Sequence, residues 1–263
     1  MEKVLTIFTP SFNRGYCIKD IYESLDSQAD IRFEWLIVDD GSEDNTQEVV
    51  FSFMNESSFD VRYYYTKNRG KPSAINYALE LAKGDYFLIL DSDDVLTSNA
   101  IDTVLSDIDK LSDSIGGLCY RRKRKVDSSF IGGDFPSNKF VSNHDELHFR
   151  YGYDGDKVEI FKTKLLKDNK FPIFPGEKFI PEGLLWLHYT IQYKLEYHDI
   201  AIYECEYLQD GITNNKNAII RNNPLGFISY YSYLLSLEHA SVRIKIFAML
   251  RILYIAIKFI WKK

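Results

Sequence analysis

The sequence predicts an α/β domain with a mostly parallel central sheet flanked by helices, followed by an amphipathic helical appendage at the C-terminus. Three observations predict it. Short apolar runs alternate about four times with helix-period segments inside the first hundred residues, which is the pattern of βαβ units with right-handed crossovers. Polar residues gather where those runs end, at Thr9–Arg14, Asp39–Asp40, Asn68–Lys71 and Asp91–Asp94; ligands of open parallel sheets bind beyond those strand ends. After Glu238 the chain carries six Lys or Arg and no acid, which leaves 26 basic against 38 acidic residues, or −12, in the remainder. That asymmetry marks a tail with its own role.

VLTIFT (residues 4–9) is apolar enough for a strand buried on both faces. PSFNRG is turn chemistry, and Ile18, Ile21, Tyr22 and Leu25 then fall at helix spacing within 16–28. FEWLIV (33–38) is a second strand, ending in Asp39, Asp40 and Gly41, and SEDNT supplies capping residues for a helix over 45–54. VRYYYT (61–66) is a third strand. NRGKPS is a loop, and AINYALELAK (74–83) is a helix closed by Gly84. DYFLIL is a fourth strand and delivers Asp91, Ser92, Asp93 and Asp94.

The second half is less regular. GGLCY reads as a strand, and RRKRK (121–125) as a solvated edge or loop, with contact to phosphates as the functional alternative. Residues 126–157 are rich in loop formers. Lys157–Phe161 reads as a strand, Thr163–Lys170 as a short helix, a further helix starts at Glu182, and IAIYECEYL (200–208) is a strand leading to Asp210-Gly211.

A net charge of −6 argues against a nucleic-acid partner. The three cysteines (Cys17, Cys119, Cys205) are odd in number and lack metal-ligand spacing, which points to a reduced, cytosolic setting. No secretory signal is visible. His144, His148, His188 and His198 are scattered and read as surface or satisfied positions.

Three carboxylates in LILDSDDVL need a reason. One acid can cap a following helix, which is the alternative reading of Asp94. Three repel one another unless a hard divalent cation such as Mg²⁺ or Mn²⁺ offsets the charge and shares its remaining positions with phosphate oxygens.

With TIFTPSFNRG, WLIVDDGSEDNT, NRGKPSAINYALELAKGDYFLILDSDD and IPEGLLW, the chain resembles a family 2 glycosyltransferase of the GT-A fold over residues 4 to about 213. The resemblance implies inverting transfer from a nucleotide-sugar, commonly a UDP-sugar. It implies that Asp40, with Asp39 beside it, contacts the uracil, that Thr9, Pro10, Asn13 and Arg14 line the nucleotide pocket, and that Lys71 lies near the nucleotide. Asp91-Ser92-Asp93 would be the metal-binding DxD motif, with Asp93 leading and Asp94 a further candidate. Residues 1–97 would form a nucleotide-binding half, 98–222 an acceptor-binding half, and 223–263 a separate helical segment.

The chemistry agrees. A departing nucleoside diphosphate gains negative charge, which a Mn²⁺ or Mg²⁺ cofactor aided by Lys71 or Arg14 would stabilise. The acceptor hydroxyl needs a general base on the opposite face of the sugar. Glu182 is the candidate, with Glu177 and Asp145 in reserve, and Trp186 could stack on a sugar. Many relatives have Glu-Asp here, with the Asp assigned as base; this chain has Gly183 after Glu182. The alternative is that Glu182 only caps its helix.

In the tail, Arg243, Arg251, Lys258 and Lys262 fall within an arc of about 100° on a helix that is otherwise large and apolar. Such a helix lies in a membrane interface rather than spanning it; the alternatives are packing on its own domain or on the partner of a homodimer. The expected partners are therefore a nucleotide-sugar donor, a glycan acceptor of the lipid-linked kind and a membrane surface, with the protein cytoplasmic and peripheral at the inner face of the cell membrane. Two other readings compete. LILDSDDV also fits a haloacid-dehalogenase-type phosphatase using Asp91 as nucleophile, and Gly183 fits a non-catalytic nucleotide-sugar-binding subunit.

Overall fold

The computed structural model describes residues 4–205 and 216–260. The first half alternates as the sequence predicts: β1 (Leu5–Ser11), α1 (Ile18–Asp26), β2 (Phe33–Asp39), α2 (Thr46–Glu56), β3 (Asp60–Tyr65), α3 (Lys71–Leu81) and β4 (Tyr86–Ile89). It continues through β5 (Val95–Leu96), α4 (Ala100–Ile108), β6 (Gly117–Arg124), β7 (Lys139–Ser142), α5 (His144–Phe149), β8 (Lys157–Lys162) and α6 (Thr163–Lys167). The remaining elements are α7 (Gly183–Gln192), β9 (Leu195–Cys205), α8 (Lys216–Asn222), α9 (Pro224–Ser236) and α10 (Val242–Ile260).

Among the described residues the strands form one sheet in the order β3-β2-β1-β4-β8-β6-β9-β5, with β7 also paired to β9. The first four strands are mutually parallel. β8 enters antiparallel to both β4 and β6, and β6 and β9 run parallel. β2 is buried along its whole length, as both-face cover by helices requires. One core layer gathers Ile18, Ile21 and Leu25 of α1 with Ile101, Val104 and Leu105 of α4 against the sheet. On the other face α3 and α7 cover Phe8, Phe87 and Phe161.

Several expectations are corrected. RRKRK is only partly a solvated edge: Arg121–Arg124 end β6, and exposure begins at Arg124 and Lys125. Arg121 is fully buried, pairs with Asp199 at 2.5 Å and lies 4.4 Å from the Phe130 ring. Arg122 and Lys123 pair with Asp94 and Glu204. Arg121, Arg122 and Lys123 brace the interior, each meeting an acid from another segment, whereas Arg124 bonds Ser129 at the surface. β9 begins at Leu195, earlier than the predicted residue 200, and its expected end with Asp210-Gly211 falls outside the described residues. The α4 helix was not anticipated. All three cysteines are free.

The C-terminal helices pack back onto the domain. Leu187 of α7 shares a cluster with Tyr231 and Leu234 of α9 and Ala248 and Ile255 of α10. Across residue 222, Asn223 Oδ1 accepts from the Lys178 and Phe179 amides at 2.8 and 2.9 Å. Glu177, a reserve base in the sequence reading, instead accepts from the Leu225 and Gly226 amides at the start of α9. That is a helix-capping role. Asp145, the other reserve, is buried and accepts from His239 at 3.0 Å.

Candidate active site

The site forms where the ends of β1, β2 and β4 meet the starts of α3 and α7. Asp39 closes β2, and being fully buried it organises the turn: it accepts from the Ser42 amide at 2.7 Å and from the Tyr63 hydroxyl at 2.6 Å. Asp40 accepts from the amides of Arg69 and Gly70 at 2.8 and 2.6 Å. Burial pushes the Asp40 carboxyl up, against those two N–H donors and Lys178. Gly70 has φ +89°, and a Cβ there would stand 1.8 Å from the Lys178 carbonyl oxygen. Only glycine lets these two loops touch. Asp40 and Gly70 thereby carry the segment leading into α7 up to the start of α3.

The β1 loop is knitted to the loop after β2. Asn13, with φ 54°, donates its amide to Ser42 Oγ at 2.7 Å and accepts from the Glu43 amide at 2.9 Å. Pro10 is half-buried opposite Val38. Arg14 donates through Nε to Ser92 Oγ at 3.2 Å and through a guanidinium nitrogen to Tyr16 at 2.9 Å. The Thr9 expectation is corrected: its side chain is fully buried and accepts from Trp35 Nε1 at 3.0 Å, below the rim, so it does not line a cleft.

Lys71, at the start of α3, is the hinge of the arrangement. Its Nζ pairs with Asp91 at 2.5 Å and also with Glu182. Burial works against the ammonium charge, but Asp91 and Glu182 outweigh it and hold the Lys71 pKa above its ordinary value. Burial opposes the Asp91 charge too, and Lys71, Arg122 and Arg14 together draw its carboxyl below the usual range. The capping reading of Glu182 is corrected: it makes no side-chain hydrogen bond to α7. Trp186, one turn on, is stacked on Phe161 with ring centroids 4.9 Å apart, a core contact.

The acids of DSDD have separate surroundings. Asp94 is buried, lies 3.6 Å from Arg122, and burial together with Asp91 pushes its carboxyl up to about 7. The helix-cap reading of Asp94 is also corrected, because β5 follows the turn and α4 starts only at Ala100, after Asn99. Asp93 alone of the three has no ion pair within 4 Å among the described residues. Burial and Asp91 push its carboxyl up, against Arg14. No three acids, histidines or cysteines among the described residues converge to enclose a cation. A lone carboxylate beside a second acid, with Arg14 and Lys71 near it, fits a hard divalent ion that takes its other ligands from a diphosphate. It does not fit a protein-only cage.

Sequence reasoning missed the support beneath the motif. The Tyr203 hydroxyl of β9 accepts from the Asp91 amide at 2.9 Å, and the Arg122 guanidinium lies 4.3 Å from the Tyr203 ring centroid. The alternation in IAIYECEYL marks Tyr203 as inward-facing, but nothing local indicates its partner.

The family model described as "Glycosyl transferase family 2" matches residues 6–171. A GalNAc(5)-diNAcBac-PP-undecaprenol beta-1,3-glucosyltransferase of Campylobacter jejuni is 26% identical over 221 residues, covering 81% of this chain and 69% of that protein. Glycosyltransferase GlyG of Streptococcus pneumoniae is 32% identical over 122 residues, covering 46% of this chain and 40% of that protein. Among solved structures, S. aureus TarS in complex with UDP-GlcNAc superposes with TM-score 0.71 at 20% identity, over 89% of this chain and 67% of that one. A mannosyltransferase from Pyrobaculum calidifontis in complex with GDP-Man and Mn²⁺ gives TM-score 0.57 at 16% identity, over 100% of this chain and 88% of that one. These likenesses confirm the GT-A fold. They also leave the phosphatase reading without support, since Asp91 stands ion-paired in a fold of another kind. With more than half of its length matched by the family model, the chain belongs to glycosyl transferase family 2.

Proposed function

We propose that this chain is a metal-dependent, inverting hexosyltransferase that moves the sugar of a nucleotide-sugar, a UDP-sugar, to a hydroxyl of a lipid-linked glycan in cell-surface polysaccharide assembly. The observation that carries the reading is the meeting of Asp91 and Glu182 on one ammonium, Lys71. A candidate base and the diphosphate-binding motif are thereby held within one side chain's reach. The names of the Campylobacter and S. aureus relatives support a lipid-linked acceptor and a UDP donor.

Glu182 takes the proton of the acceptor hydroxyl as that oxygen bonds to the anomeric carbon. The bond from that carbon to the diphosphate breaks, and the nucleoside diphosphate leaves with the electron pair. Lys71 and Arg14 present positive charge to the leaving group. Asp93, with Asp91 beside it, would hold a Mn²⁺ or Mg²⁺ ion, which supplies further charge neutralisation when bound. Asp39 and Asp40 shape the uracil side of the pocket through the loops they staple. Across a panel of UDP-, GDP- and TDP-sugars with Mn²⁺, we expect acceptor-free hydrolysis of at least one UDP-sugar. Absence of turnover across the panel contradicts the reading.

The α10 helix supports a place at the inner face of the membrane. Ala248 and Ile255 face the domain, while Ile246, Leu250, Leu253 and Ile257 are each about half exposed on the opposite side. Arg251 donates to the Tyr231 hydroxyl at 3.3 Å and Lys258 lies over the Tyr254 ring, both flanking the apolar face. No helix among the described residues is long and apolar enough to cross a membrane. An apolar face edged by cations matches an anionic lipid surface. Leu250→Ser, Leu253→Ser and Ile257→Ser together should reduce partitioning onto phosphatidylglycerol vesicles at least tenfold, since a fully buried side chain of this size contributes about 1.5–3 kcal/mol. Unchanged flotation, with a dimer by light scattering that the triple variant breaks, would instead assign the face to a second copy.

A further inference from the structure

Across the rim, the chain's chemistry continues past the DSDD turn. In the strand order the candidate nucleotide residues stand at β1 and β2, the motif follows β4, and β8 comes next. Because β8 runs antiparallel to β4, with Leu88 opposite Ile160, its residues Glu159 and Lys157 lie toward the Asp91 end. Alternation puts Lys157, Glu159 and Phe161 on one face, and Phe161 packs on Trp186 and Tyr189 of α7. The two charges therefore face the same side as Glu182.

Here the polar groups are incompletely satisfied. Lys157 Nζ and His144 Nδ1 each stand 3.9 Å from Glu159 Oε1, within ion-pair reach but too far for a hydrogen bond. His144 Nδ1 has no hydrogen-bond partner, nor has the hydroxyl of the fully buried Tyr197 behind the cluster. Lys157 reaches only the Gly155 carbonyl, at 3.4 Å, and lies over the Tyr153 ring. Buried polar groups are ordinarily paired, so donors and an acceptor gathered beside a candidate base call for a ligand. Burial and Lys157 hold His144 well below its ordinary pKa, and burial pushes the Glu159 carboxyl up, against Lys157 and Arg122.

We propose that Lys157, Glu159 and His144 form the acceptor subsite, and that it takes an uncharged sugar by its ring hydroxyls. The proposal rests on the glycosyltransferase reading above. A hydroxyl can donate to Glu159 while accepting from Lys157, closing a gap that neither closes alone. Glu159 offsets the Lys157 ammonium, so the cluster lacks the unopposed positive charge that would favour a phosphate or a uronate at the same place.

The test uses the full chain with Mn²⁺ and the UDP-sugar it hydrolyses fastest. The acceptors are p-nitrophenyl β-glucoside, its N-acetylglucosaminide and its glucuronide. Transfer to a neutral glycoside over the glucuronide is expected. Glu159→Gln and Lys157→Met should each raise the acceptor KM at least tenfold while leaving acceptor-free donor hydrolysis within twofold. Unchanged acceptor KM, preference for the glucuronide, or hydrolysis falling in step with transfer each overturns the subsite, the last by showing that the cluster only supports the fold or the donor site. A chain that hydrolyses no nucleotide-sugar overturns the glycosyltransferase reading, and the subsite with it.

Discussion

Glu182→Gln should lower turnover by about 10²–10⁴-fold, the usual contribution of a positioned general base, with UDP affinity retained or increased. Glutamine keeps the shape of the side chain at the start of α7 but cannot take a proton. The direction of the binding change follows from Lys71, whose ammonium is shared between Asp91 and Glu182. Removing one of those two charges leaves it freer to meet a diphosphate. Single-turnover kinetics and UDP titration separate the two effects. Near-normal turnover in the variant would remove Glu182 from the role. It would also revive the non-catalytic reading that Gly183 invites by standing where many relatives have an Asp.

Asp93→Asn should abolish the response of UDP binding and turnover to Mn²⁺, lowering kcat/KM on the order of 10³-fold, as loss of a main source of leaving-group stabilisation does. Thermal stability should hold, since among the described residues Asp93 has no ion-pair partner within 4 Å to lose. Asp94→Asn should do the reverse. It leaves the Mn²⁺ response in place but takes from the half-buried Arg122 an acid 3.6 Å away, which lowers stability by less than the loss of a fully ionised buried pair, because the Asp94 carboxyl is pushed up to about 7. Chelation by EDTA, followed by Mn²⁺ titration and urea unfolding of both variants, distinguishes them. If Asp94→Asn loses the metal response and Asp93→Asn keeps it, the assignment within DSDD is reversed.

The first hundred residues were legible because β1 and β2 are buried on both faces and the crossovers are local. Apolar runs, caps and strand-end loops there need no partner from elsewhere. Thr9 was misjudged for the same reason: proximity to the rim suggested a pocket residue, whereas its side chain is committed to Trp35. The second half resisted because its elements are defined by distant partners. The strand at Lys157–Phe161 is where the sequence predicts it, but its antiparallel place between β4 and β6 is set by partners far along the chain. RRKRK looks solvated until Asp94, Asp199 and Glu204 arrive from other segments. The pairing of Lys71 with Glu182 is likewise invisible locally; it depends on Gly70 packing against Lys178 across the fold.

In the proposed reaction the sugar is attacked from the face opposite the diphosphate, by an oxygen that Glu182 deprotonates. The most direct test is proton NMR of the first sugar released when the full chain hydrolyses an α-linked UDP-sugar with Mn²⁺, read before mutarotation. The β-anomer should appear first, and Glu182→Gln should suppress it. First release of the α-anomer would contradict inversion and the role given to Glu182.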